Sequence, residues 1–179
     1  ENQAPTKALE FDLPVEQGEV RVEGDVCYLS LVERHRGTGA VVNGFVSGFG
    51  YTGSMAIASS VAHDSHHMIV VGTNQEMMAA AANRLGEIGG GVSVWKDGSE
   101  VALVELPIAG LMSDSKASEV AVKAQAIVTA MIDCGCTLNN AYMQHTLLAL
   151  VVIPELRISD LGLVDVNRFE LTEVLESNS

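Results

Sequence analysis

Apolar residues along this chain come in short blocks separated by glycine and polar clusters. The block at residues 26–32 (VCYLSLV) mixes β-branched and aromatic side chains, and it runs into ERHRGTG, which predicts a strand feeding a loop. Gly44, Gly48, Gly50 and Gly53 follow too closely for a helix and predict short strands joined by tight turns. Residues 57–61 and 68–71 are two further apolar runs with strand character. Between them lies AHDSHH, which puts His63, His66 and His67 at the junction of two strands.

The period then changes. Thr73 or Asn74 can cap a helix, Glu76 suits its positive end, and Met77, Ala81, Leu85 and Ile88 recur at helical spacing until Gly89, Gly90 and Gly91 stop it. Residues 92–95 and 101–104 flank KDGSE, where Asp97-Gly98 predicts the turn of an antiparallel hairpin. From Ser115 or Ser118 to Ile132 a second helix is predicted, with apolar recurrences at Val122, Ala126, Val128 and Ile132 and a stop near Gly135. Residues 142–153 fit either helix or strand and close at Pro154. Residues 162–166 and 169–171 predict an added edge strand. No internal repeat is seen, and this order predicts a single α/β domain with a mixed β-sheet packed by helices. Residues 11–175 are assigned to that domain and residues 1–10 to a linker.

Composition narrows the function. Of 179 residues 47% are hydrophobic but only 4% aromatic, so the core must be aliphatic. Acidic residues outnumber basic ones 23 to 10, for a net charge of -13, which disfavours nucleic acid and anionic membrane surfaces as partners. Cys27, Cys134 and Cys136 are an odd number and do not resemble a secreted disulfide framework, so packed, reduced thiols and a cytoplasmic location are expected. The apolar run at residues 146–154 is about half the ~20 residues that a spanning helix needs, and the start of the chain lacks the pattern of a signal peptide.

The candidate chemistry is polar and clustered. His35, His63, His66 and His67 lie in loops that follow predicted strands, where rigid scaffolds commonly present functional groups. Asp64 stands beside His63, where a carboxylate can fix a tautomer or share a proton, and Ser65 adds a hydroxyl. Such a constellation can orient a substrate or a proton. It can equally be a solvated turn of hydrogen-bonded histidines, and spacing does not separate the two readings. His63 and His66 could share a metal only if a turn brought them together. The His-x-Glu and Pro-Cys-x-x-Cys motifs of zinc deaminases are absent. Neither Gly48-Phe-Gly50 nor Gly89 to Gly91 makes a phosphate-binding loop, while Met77, Met78 and Trp95 fit core positions.

Several strings, in order, carry a resemblance: VERHRGTG (32–39), GFVSGFG (44–50), IASSVAHDSH (57–66), VVGTN (70–74), NRL (83–85), EIGGG (87–91), LPIAGLMSD (106–114) and IPEL (153–156). They resemble the carboxy-terminal domain of adenine deaminases of the amidohydrolase superfamily, from about residue 11 to residue 169. His67 departs from the family pattern, which has Asn there. The resemblance implies a hydrolase of purine metabolism. An amino-terminal barrel domain would hold a dinuclear manganese or iron centre, and metal-activated water would replace the amino group at C6 of adenine. The barrel's ligand motifs are absent here, so no metal ligand is assigned to this chain. What the resemblance carries onto these residues is a polar signature, His63, Asp64, Ser65 and His66 together with Glu33, Arg34 and His35, in which His63, Asp64 and His66 are expected to be catalytic and Ser65, Glu33 and His35 to bind substrate. Adenine, the preceding barrel domain and further copies in a homo-oligomer are the implied partners. A competing reading makes the domain a noncatalytic oligomerisation or stabilising module. A third, an autonomous metal- or ligand-binding protein, has little in the sequence behind it.

Overall fold

The computed structural model describes residues 4–175. A two-stranded hairpin, β1 (Val15–Glu16) and β2 (Glu19–Val20), precedes β3 (Val26–Val32), β4 (Val41–Ser47), β5 (Met55–Ser59) and β6 (Met68–Gly72). Then come α1 (Gln75–Ile88), β7 (Gly91–Lys96), β8 (Ser99–Glu105), α2 (Ala117–Asp133) and α3 (Ala141–Leu147). The described chain closes with β9 (Leu156–Ser159), β10 (Gly162–Asp165) and β11 (Glu170–Thr172). The main sheet has the order β4-β3-β6-β5-β7-β8, and each neighbouring pair is antiparallel. β6 and β7 therefore run the same way on either side of β5, and α1 makes the crossover between them. The expected α/β domain, a β-sheet packed by helices, is the architecture found.

Alternation along the strands sorts the core into two layers. Met55 and Ile57 of β5 join Leu29, Leu31, Ile69, Val71 and Val94 on the side covered by Ile127 and Met131 of α2. Ala56 and Ala58 face the other way, with Val70, Met77, Met78, Ala81 and Leu85 under α1. Both faces of β5 and β6 are covered, so their sequences read as unbroken apolar runs. Each fully buried aliphatic side chain of this kind contributes roughly 1.5–3 kcal/mol.

The two long helices differ in what they show to solvent. Asn74 caps α1 by accepting from the Met77 N–H at 3.0 Å, and Gly89 ends it at φ 84°. The outward face of α1 carries Gln75, Glu76, Asn83 and Glu87. In α2 the buried residues are Ile127, Ala130 and Met131, whereas Val122, Val128 and Ile132 are exposed. The recurrence at Val122, Ala126, Val128 and Ile132 thus marks a helix but not its packed face, because α2 is apolar around most of its circumference.

Residues 142–153 resolve into the short helix α3 followed by turns. The two segments at residues 162–166 and 169–171, expected as an edge of the main sheet, instead join β9 in a separate antiparallel sheet ordered β11-β10-β9. Ile158 and Val166 are both buried, which anchors this small sheet to the body. Part of the segment read as a linker is also held down. Thr6 N–H donates to the Pro154 carbonyl at 2.9 Å, and the Arg157 guanidinium donates to the Ala4 carbonyl at 2.6 Å.

One close backbone approach governs the end of the sheet where α1 turns into β7. Gly90 has φ 120°, and a Cβ there would sit 2.4 Å from the Gly110 Cα and 2.8 Å from Ser60 Oγ. Replacing Gly90 with Val combines a forbidden backbone conformation with a steric clash, and is expected to cost about 3 kcal/mol of stability. Denaturant unfolding measures this directly, and an unchanged midpoint and slope would contradict it.

Candidate functional site

The ends of β3, β5 and β8 and the starts of β6 and β7 meet at one edge of the sheet. Three loops converge there: residues 33–39, 60–67 and 106–112. Their joint is built from two side chains. Arg34 donates Nε to the His66 carbonyl at 2.6 Å and Nη2 to the Ala109 carbonyl at 2.9 Å. Ser60, fully buried, accepts from the Gly91 N–H at 2.8 Å and donates to the Gly110 carbonyl at 2.7 Å. Gly110 has no room for a side chain, because a Cβ would lie 2.9 Å from the guanidinium.

Glu33 is buried and committed to its own loop. Its carboxylate accepts from the backbone N–H groups of His35, Arg36 and Thr38 at 2.6, 2.7 and 3.0 Å, and from the Thr38 hydroxyl at 2.8 Å. The Thr38 and Arg36 amides lead in lowering its pKa to about 2, and it stays ionised as the anionic centre of the turn. His35, exposed, meets the Ser65 carbonyl through Nε2 at 2.6 Å. The ring of His35 also lies 4.6 Å from that of His67. Loop 33–39 is therefore stitched to the histidine loop at three residues of the latter: Ser65, His66 and His67.

Within the histidine loop, His63 and His66 bring their rings together edge to face, with centroids 5.3 Å apart. His66 takes a left-handed backbone conformation, φ 53°, and its N–H closes a turn onto the Ala62 carbonyl at 2.7 Å. Its Nδ1 is buried and has no hydrogen-bond partner among the described residues. Burial, and then the nearby His63 and Arg34, hold His66 below the usual histidine pKa, with Asp64 opposing. A neutral imidazole at neutral pH follows. Asp64 and Ser65 are exposed at the tip of the turn. His67 is buried, lies 3.6 Å from Asp160 of the β9–β10 turn through Nε2, and is also lowered by burial. The structure thus gathers all the candidate residues at one end but gives them different surroundings: His63 and His66 as a pair, Asp64 and Ser65 facing solvent, and Glu33 sealed into its loop.

Among the described residues, no three His, Cys, Asp or Glu side chains converge to hold a metal ion. Cys27, Cys134 and Cys136 are free and buried, and burial pushes the thiols up, to about 12 for Cys27. No helix among the described residues is long and apolar enough to cross a membrane. A groove of about 580 Å³ beside β3, β4 and α1, and another of about 540 Å³ beside α2, are lined by none of the histidines.

The class defined by this geometry is a layered α/β domain that displays histidine-rich loops at one sheet end. The chain belongs to the adenine deaminase C-terminal domain family, whose sequence profile matches residues 3–170. It is 72% identical over 175 residues to an adenine deaminase of Paracoccus denitrificans, covering 98% of this chain and 29% of that protein. It is also 72% identical over 177 residues to an adenine deaminase of Roseobacter denitrificans, covering 99% and 30%. An adenine deaminase of Moorella thermoacetica is 44% identical over 172 residues, covering 95% and 29%. The chain therefore spans about 30% of the length of these relatives.

Behind the histidine loop lies a group that sequence reasoning passed over. The Thr146 carbonyl of α3 accepts from the His63 N–H at 3.1 Å, and the neighbouring His145 is fully buried with neither ring nitrogen partnered among the described residues. Its ring meets Phe49 edge-on, and burial lowers its pKa from 6.5 to about 3. In the unfolded chain the imidazole protonates near pH 6.5, whereas in the fold it stays neutral down to about 3. The unfolded state thus binds the extra proton in that window. The stability associated with neutral His145 is complete above pH 6.5 and declines as the pH falls toward 3. At pH 5 the loss is about 2 kcal/mol. His145→Leu is expected to flatten the fall in unfolding free energy between pH 7 and 5; an unchanged slope would contradict the assignment.

Proposed function

We propose that this chain is the C-terminal domain of an adenine deaminase, which hydrolyses adenine to hypoxanthine and ammonia. The reading further holds that His63 and His66 attend the reacting purine from the edge of an active site whose other residues lie in the preceding domain. A dinuclear manganese or iron centre, expected in that domain, would supply the activated water. Among the described residues no group of side chains fits such a centre, and none is assigned to it. The observation that carries the proposal is the His63–His66 pair, held on a clamped loop, with the His66 Nδ1 buried and unpartnered.

A neutral His66 can accept a proton as water adds to C6 and return it to the departing nitrogen, with His63 as the adjoining carrier. Asp64, Ser65 and His35, all exposed at the same end of the sheet, supply acceptors and donors for the purine edge. Glu33 serves by fixing the loop that holds His35. Shielding from water would follow as the loop end meets the preceding domain. A soluble, cytoplasmic homo-oligomer of purine metabolism is the setting this reading implies.

In the full-length enzyme, His63→Ala and His66→Ala are each expected to lower turnover by on the order of a hundredfold or more. Metal content and melting temperature are expected to stay unchanged. If the pair only satisfies local hydrogen bonds, the replacements will instead cost roughly 1–3 kcal/mol of stability with turnover per folded molecule intact. Loss of metal in parallel with activity would move a metal ligand into this domain and overturn the assignment.

A further inference from the structure

The loop at residues 106–112 carries an apolar surface that the domain leaves uncovered. Ile108 and Met112 form an antiparallel bridge, exchanging backbone hydrogen bonds at 3.1 Å in both directions, so their side chains lie on the same side of the ribbon. Ile108 is 45% exposed, Met112 58% and Leu111, at the turn between them, 37%. These are large hydrophobic side chains in a chain of net charge -13, and each comes from the string LPIAGLMSD. Isolated exposed apolar residues are ordinary, but three brought together on one short ribbon are not.

The ribbon is also tied to the loops beside it. Arg34 donates to the Ala109 carbonyl and Ser60 to the Gly110 carbonyl, and Ala109 takes φ 57°. The same guanidinium binds the His66 carbonyl. The ribbon and the histidine loop are therefore joined through one side chain, so a contact that positions the ribbon bears on where the histidine loop lies.

We propose that Ile108, Leu111 and Met112 form a docking surface for the preceding domain of the same polypeptide, and that this contact seats the histidine loop at its place on the active site. The occupant follows from one observation taken with the proposed function. About 70% of each relative's length lies outside the part this chain matches, and the ribbon is continuous, through Arg34, with the loop that the proposed function directs at that region. The inference rests on the proposed function for its geometry, although the contact can exist whether or not the histidines move a proton.

The test is site-specific photo-crosslinking in the full-length enzyme, with benzoylphenylalanine placed at position 108 or 112, followed by mass spectrometry of the crosslinked peptides. The expected result is an intrachain crosslink to the preceding domain from both positions. Crosslinks between two copies, or none from either position, would overturn the proposal. As a second measurement, Met112→Asp is expected to lower kcat/KM at least tenfold while the melting transition of the full-length enzyme stays cooperative. Unchanged kcat/KM in that variant, where His63→Ala and His66→Ala do lower turnover, would also overturn it. Intrachain crosslinks found together with full activity in His63→Ala and His66→Ala would remove the proton-moving role and leave the docking surface standing.

Discussion

The Arg34 side chain leaves the end of β3 and binds the carbonyls of His66 and Ala109, two groups in loops that are 43 positions apart by number. Each bond is charge-assisted, and the planar guanidinium fixes the angle between the two loops as well as their separation. Burial weakens its hydration, lowering its pKa, but a guanidinium remains charged throughout the physiological range. Without this residue, the histidine loop and the apolar ribbon would be tied together at this edge chiefly by Ser60.

The remaining parts of the loop end follow from that joint. Glu33, immediately before Arg34, spends its carboxylate on the amides of loop 33–39 and so fixes the backbone from which the guanidinium departs. His35, immediately after it, returns to the Ser65 carbonyl. Three successive residues of the VERHRGTG string thus do three jobs: they order a loop, clamp two others and present an imidazole. The two core layers behind them support this end, with β5 and β6 covered on both faces and His145 sealed in α3 behind the His63 backbone.

Much of this scaffold was legible in the chain. The strand at Val26–Val32, the Asn74 cap, the glycine stop at Gly89 and the hairpin around Asp97-Gly98 each have a local cause, and each stands where that cause puts it. The packed face of α2 was not legible, because its apolar residues surround the helix and periodicity selects no side. The separate β9–β11 sheet and the tethering of residues 4–8 depend on partners more than a hundred positions away or on hairpin pairing that no local pattern specifies. At the site, the clustering of polar residues was visible and their division of labour was not. Arg34 and Ser60 act through backbone carbonyls, which have no sequence signature, and Glu33 reads as an available carboxylate until its four donors are seen.

If this loop end completes an active site shared with the preceding domain, ligand bound there must reach it, and amide hydrogen exchange of the full-length enzyme with and without hypoxanthine measures that contact. Slower exchange is expected on ligand binding at residues 62–67 and 107–112, with β9–β11 unchanged. Protection confined to the preceding domain, with no change at those two loops, would contradict it.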